Sequence, residues 1–281
     1  MEDTQLQALT RLVDRQAAAR ARVETNAAAQ VVPLWARFDG WYDDGLIAEL
    51  ALMSAAVVQA AREVAGATTA AYVAQTVGLM RETVEEATRV LLPAARGQTS
   101  LPAVYTRPAK RFRYEVSRDS GREVAAEAAQ RQVRTSTATD VMLAVRDAAQ
   151  QSYEAYRVRG YRRVIHPERS EEGTCGLCAV ASDRIYKRGD LAPLHGGCRC
   201  ESLPLTDTED PGRSLNEAEL KDLYARAGST AGSELRRVKY KVVDHGELGP
   251  TLAFADHTFR GESATVRSAV AVAERLVRDA A

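Results

Sequence analysis

All four cysteines of this chain fall within 26 positions, as Cys175-x2-Cys178 and Cys198-x-Cys200, and His195 precedes the second pair by three residues. Such a cluster can ligate metal, exchange thiols or supply a nucleophile, and its spacing favours metal. Tetrahedral zinc asks for short chelating groups joined by a loop, which bring four ligand atoms to about 2.0–2.3 Å from the ion. Here 16 residues separate Cys178 from His195, with Gly189-Asp190 as the turn of a hairpin between the two halves. Gly176 and Gly196-Gly197 permit the tight backbone turns that carry neighbouring ligands to one side.

Five side chains compete for four places. The favoured set is Cys175, Cys178, His195 and one of Cys198 and Cys200; the rival is all four cysteines, with His195 behind them. Cys198 and Cys200 share a side if that stretch is extended, because side chains alternate along a strand. Four protein ligands leave zinc no open position for water, which points to a structural staple rather than to hydrolysis. Other chemistries fit less well. A redox Cys-x-x-Cys opens a helix inside a βαβ unit, and no such unit is visible. Disulfides need an oxidising compartment. A cysteine nucleophile needs a histidine partner, and no spacing recommends His166, His245 or His257. His166 before Pro167 reads as a strand exit, and His245 before Gly246 as a turn.

The elements that must position this cluster are mostly helical. Aromatic residues make up only 6% of the chain while alanine is abundant, which favours helices packed through small side chains. Lys+Arg and Asp+Glu are equal at 38 each, so no global attraction to nucleic acid is expected, although a local basic face remains open. No uninterrupted apolar run reaches the roughly 18–20 residues of a membrane span. The opening MEDTQLQALTRLVDRQ lacks a signal peptide's apolar core. A soluble, intracellular protein with no membrane partner is expected.

Leu6, Leu9, Leu12 and Val13 share one face of a first helix. Pro33, Gly40 and Asp43-Asp44-Gly45 should interrupt it; Trp35, Phe38, Trp41 and Tyr42 gather there as a plug between helices or a partner-binding patch. The helical period resumes over 46–64 and 69–92, with Gly66 ending the first piece, which predicts an up-and-down pair. Residues 93–108, with three prolines and a glycine, should be a loop. A second helical region runs from Lys110 to about Arg159. From Arg107 to Arg163 there are 13 Lys/Arg against 7 Asp/Glu, either a solvated face or a surface for phosphate or an acidic partner. GYRRVIHP and RIYKRGDLAPL read as short strands with turns. After a polar linker, Ser214-Leu-Asn-Glu217 reads as a capping box opening a helix to about Ala227. GSTAGS reads as a flexible link, 235–254 as one or two strands and 263–281 as a final helix. The expected fold is mainly α with a small α+β, zinc-ribbon-like module. Its regions are 1–96 (helical), 97–165 (basic helical), 166–206 (Cys/His module) and 207–281 (linker, strands and helix).

The stretch GYRRVIHPE…GTCGLCAVASDRIYKRGDLAPLHGGCRC…P resembles the C-terminal module of MuF-like minor head proteins of tailed bacteriophages, also called head morphogenesis proteins. The module's marks are a Cys-x-x-Cys (Cys175, Cys178), a following aromatic strand residue (Tyr186), a Pro-x-His (Pro193, His195) and a closing Cys-Arg-Cys (Cys198, Arg199, Cys200). The match covers roughly residues 110–205. One departure is Gly196-Gly197, where the family often has proline. The resemblance implies a few-copy component of the virion head, made in the bacterial cytoplasm and bound to the portal or the major capsid protein. It also implies contact with packaged DNA, for which 107–163 is the candidate region. Many relatives from actinobacterial viruses are labelled capsid maturation proteases, but no nucleophile, base and orienting acid stand at a recognised spacing here. A non-enzymatic structural role is expected; the alternatives are such a protease and a nucleic-acid-binding zinc module.

Overall fold

The computed structural model describes residues 3–166, 181–182, 184–190, 198–205, 210–226 and 240–254. The expected link at 228–233 and final helix at 263–281 lie outside the described residues. The protein is mainly helical with a few short strands.

Three long helices make the frame. α1 (Asp3–Ala36) and α2 (Asp44–Arg81) lie antiparallel. Gln5 Nε2 donates to the Leu79 carbonyl (2.8 Å) at one end, Gln16 Nε2 to Thr69 Oγ1 (2.9 Å) midway and Trp35 Nε1 to Ser54 Oγ (3.0 Å) at the other. Asp43 starts α2, its carboxylate accepting from the Gly45 and Leu46 amides, which satisfies two of the four orphan donors of a helix start. The third long helix is α5 (Arg122–Ala155). Its Ala125, Ala129 and Val133 join Trp35 and Ile47 in one apolar cluster, and its Ala149 and Tyr153 join Leu9 and Val77 in another, so it runs parallel to α2. Alanines on all three buried faces, among them Ala17, Ala55 and Ala148, let the axes approach closely.

The chain returns from α2 to α5 through a two-stranded hairpin, β1 (Ala95–Arg96) and β2 (Thr99–Ser100), then α3 (Leu101–Tyr105) and α4 (Arg107–Val116). At the turn end of the bundle Trp35 and Trp41 are buried, and Trp41 stacks on Phe112 of α4 with ring centroids 4.1 Å apart. The expected plug is thus built from three helices, while Tyr42 stays exposed.

Several local expectations need correction. α1 continues through Pro33 to Ala36, so the interruption is 37–43 only; a proline removes one hydrogen bond, and burial of Val31, Val32 and Trp35 holds the final turn. α2 passes through Gly66 without a break and ends at Arg81, so residues 82–92 are not helical and the up-and-down pair is α1 with α2. Gly66 serves close approach instead: a Cβ there would lie 2.7 Å from Leu92 Cδ1 of the returning chain. Residues 93–108 hold the hairpin and α3, where Ser100 caps the helix and Pro102 sits in its first turn, a position that tolerates proline. Lys110–Arg159 is two helices, broken at 117–121. α6 (Pro211–Arg226) starts before the capping box: the Asp210 carboxylate accepts from the Arg213 amide (3.1 Å), and Pro211 opens the helix.

Against the end of the bundle lies an antiparallel sheet of order β4-β3-β5, formed by β3 (Gly160–Val164), β4 (Ile185–Lys187) and β5 (Glu201–Pro204). Both expected strands are present, and the Asp190 amide closes a turn on the Lys187 carbonyl (3.0 Å); β4 pairs with β3, while residues 191–197, the other arm of the expected hairpin, lie outside the described residues. Tyr153 of α5, Tyr161 of β3 and Tyr186 of β4 stack in series at 4.9 and 5.5 Å. On α6, Asn216 accepts from the Ile165 amide (3.0 Å) and donates to the Arg163 carbonyl (2.7 Å). The one or two strands expected over 235–254 are two, β6 (Tyr240–His245) and β7 (Gly249–Phe254), paired as a hairpin whose turn is tied to α4 and β2 through Glu247 with Arg107 and Thr99. α2 alone among the described residues has the length and mean hydropathy (1.4 over 18 residues) of a segment able to cross a membrane; its inner side packs on α1 and α5.

Candidate functional site

Of the five candidate ligands, Cys175, Cys178 and His195 lie outside the described residues, while Cys198 and Cys200 lie within them. Among the described residues, no group of three or more His, Cys, Asp or Glu side chains is placed to hold a metal ion. The part of the cluster on view is its closing Cys-Arg-Cys, which leads directly into β5.

Cys198 is buried against Met142 and Leu143 of α5 and against Ile165, and Cys200 packs on the same small cluster. Arg199, between them, pairs with Glu24 of α1. The two cysteines pack on the same cluster, in keeping with the side shared in an extended stretch. Arg163 of β3 donates from Nη1 to Cys198 Sγ at 3.3 Å, and its guanidinium carbon stands 5.9 Å from the Tyr186 ring. Tyr186 fills the sheet core opposite Tyr161.

The carbonyl of Cys200 accepts from Arg20 Nη1 at 3.0 Å, across 180 positions of sequence. Arg20 is fully buried in α1 and also pairs with Glu201 (3.0 Å) and Glu24 (3.6 Å). Burial works against its charge, but Glu201 first and then Glu24 outweigh that, so its pKa is raised. Two arginines, two glutamates and the Cys-Arg-Cys backbone thus lock the cysteine segment to α1. Spacing gave no hint of this network, yet one signal existed: Arg20 and Glu24 fall on the same helical face as Leu9, Leu12, Val13, Ala17 and Val31, where charges need partners.

His166 is buried at the exit of β3 and His245 stands at the β6 turn, its Nδ1 accepting from the Glu247 amide (3.3 Å), both as read from the sequence. His257 lies outside the described residues. The basic stretch divides in two. Arg162 and Arg163 are buried in the sheet, where Arg162 makes a bidentate pair with Asp210, and Arg146 serves the β6–β7 turn through the Leu248 carbonyl (2.7 Å). Lys110, Arg111, Arg118, Arg122, Arg131 and Arg134 face solvent along α4, the turn after it and the first half of α5. Comparison of the chain with protein-family models, with characterised proteins and with solved structures finds no match.

Proposed function

We propose that the chain is a structural, non-enzymatic minor head protein of a tailed bacteriophage, bound to the portal or the major capsid protein and stapled by one zinc ion. Four of Cys175, Cys178, His195, Cys198 and Cys200 hold the ion. The observation that carries this reading is the fixing of Cys198 and Cys200 side by side on the bundle, under the Arg163 guanidinium and against α1 through Arg20. A ligand pair anchored in this way transmits the metal's binding energy to the whole frame, which is what a staple does. Cys198 is only 3% exposed, which suits a ligand better than a nucleophile that must meet a substrate. Leu52, Met53 and Val64 on the outer face of α2 are each more than half exposed and offer apolar surface for a helical partner. The solvent-facing cations of α4 and α5 are the surface proposed for packaged DNA.

Zinc is tested by metal analysis of the purified chain with melting in the presence of chelator. One zinc per chain and a lower melting temperature on chelation are expected, and Cys175→Ser or Cys178→Ser should lose the ion and the stability together. Absence of metal with an unchanged melt would refute the staple. The setting is tested by stoichiometry in purified virions, where a few copies per portal are expected. Specific cleavage of the major capsid or scaffold protein by the purified chain, abolished by one substitution, would replace the structural role with a capsid maturation protease. Duplex binding with a steep salt dependence is the expected signature of the DNA-facing surface.

A further inference from the structure

The outer face of α2 is apolar and uncovered. Only 33% of the helix's most apolar 18 residues are buried, and Leu52, Met53 and Val64 are 58%, 55% and 55% exposed. A contiguous apolar strip of this kind is a mark of a docking surface. Its spacing is regular. Ala60 stands at the middle, Ala56 and Val64 lie four residues to either side, Met53 and Ala67 seven, and Glu49 and Ala71 eleven. Steps of three and four residues are the seam pattern of two packed helices, and here they read alike from both ends.

A palindromic strip is complementary to itself. A second copy laid antiparallel across a two-fold axis at Ala60 brings each position to its mirror, as an isologous interface requires. The side-chain sizes then match level by level. Met53 meets Ala67, Val64 meets Ala56, and Ala60 meets its own copy, large against small, which is how facing helices interdigitate. Charge selects the same register. Glu49 comes to the level of Ala71 in the other copy, where α1 runs alongside. The bond from Gln16 to Thr69 sets the height of α1 there, and Arg15 lines the groove with Ala71 and Gln75. The exposed carboxylate of Glu49 thus faces the exposed guanidinium of Arg15, once at each end of the seam. A parallel pair would instead set Glu49 against Glu49 and Met53 against Met53. Lipid is a poorer occupant, because Glu49 and Glu63 are both exposed on this face and a carboxylate is costly in hydrocarbon.

We propose that two copies of this chain pair through the outer faces of α2, antiparallel about Ala60, with Glu49 of each copy on Arg15 of the other. The proposal specifies the helical partner of this face, and it holds with or without zinc and outside any virion. The seam from Glu49 to Ala71 is about 33 Å long, which places the interface at the small end of the specific range and its affinity near micromolar. Sedimentation velocity of the full chain from about 1 to about 200 µM covers that range. A reversible shift from one chain to two is expected as concentration rises. Ala60→Arg, at an exposed position, should keep its helical circular dichroism and remain a single chain throughout. Glu49→Arg and Arg15→Glu should each weaken pairing about tenfold, since two ion pairs are replaced by like charges. Combining the two reversals should restore pairing, a result specific to this register and readable even where Ala60→Arg misfolds. A single chain at every concentration, a dimer indifferent to a folded Ala60→Arg, or a double reversal no tighter than the single ones would overturn the proposal. Co-sedimentation of the wild-type chain with phosphatidylcholine vesicles in place of self-association would overturn it too. Metal content and virion stoichiometry are separate measurements, so failure here leaves the zinc staple and the head-protein reading to their own tests.

Discussion

Asp140 shows how much one buried carboxylate can carry. It has no exposed surface, accepts both Nε and Nη2 of Arg96 and the hydroxyl of Tyr105, and joins the β1 hairpin and α3 to the middle of α5. A second Arg96 contact, from Nη2 to the Ser136 carbonyl (2.7 Å), fixes the fork. Removing one partner of such a pair leaves an uncompensated charge, which costs about 3–5 kcal/mol, whereas replacing both by apolar groups of similar volume is often neutral. Asp140→Ala should therefore lower stability by about that amount, and the Arg96→Met/Asp140→Leu double variant should recover most of it, both measured by urea denaturation. At this scale the sequence is a partial guide. The spacing of Cys175 to Cys200 announces a ligand set without help from the fold. The arginines that serve the molecule most, Arg20, Arg96 and Arg163, look like any surface cation until the chain brings residues from far along it to meet them.

The elements follow sequence patterns where local and tertiary preferences agree. The apolar stripe of α1, the alternation of β6 and β7 and the strand character around Tyr161 and Tyr186 were all legible. Local rules failed where packing overrode them: Pro33 and Gly66 read as breakers, yet both sit inside long helices whose buried faces outweigh a cost of about 1 kcal/mol for a glycine and about 3 kcal/mol for a proline. The proline-rich stretch 93–108 hid a short helix, because proline in a first turn is compatible with helix. Two glycines of α2 make this testable. Each should gain about 1 kcal/mol of helix propensity on replacement by alanine. At Gly78 the new Cβ would meet the Thr83 carbonyl oxygen at 2.6 Å, a backbone atom fixed by the left-handed turn at Glu82. At Gly66 it would meet the tip of Leu92, a flexible side chain on the largely exposed 82–94 segment. Gly78→Ala should destabilise the protein, and Gly66→Ala should leave it unchanged or slightly more stable, as read from denaturant midpoints at constant slope.

At the scale of the molecule, the seam between bundle and sheet is built from tyrosines. Tyr72 of α2 donates to the Ser202 carbonyl (2.9 Å), Tyr153 of α5 meets Ser202 Oγ (2.9 Å), and Tyr161 of β3 reaches the Asp190 carbonyl. Tyr105, at the other interface of α5, donates a hydrogen bond to Asp140. Burial raises the pKa of all four above the ordinary tyrosine value, and neighbouring Glu201 and Asp140 add to it for Tyr72 and Tyr105. The sign is fixed by linkage. A group whose pKa is raised in the folded state stabilises the fold fully below its unfolded value, here about 10, and loses that contribution as pH rises towards the folded value. Between those limits the folded chain holds more protons than the unfolded one, and each such tyrosine lowers stability by about 1.4 kcal/mol per pH unit. Stability should thus be insensitive to these groups up to about pH 10 and fall steeply above it. At least four of the ten tyrosines should gain tyrosinate absorbance together with loss of helical circular dichroism, rather than before it. Tyr153→Phe should flatten the alkaline slope by one proton's worth. Early, independent titration of all ten would mean that the seam is open to water and that the sheet, with its Cys-Arg-Cys segment, is not locked to the bundle.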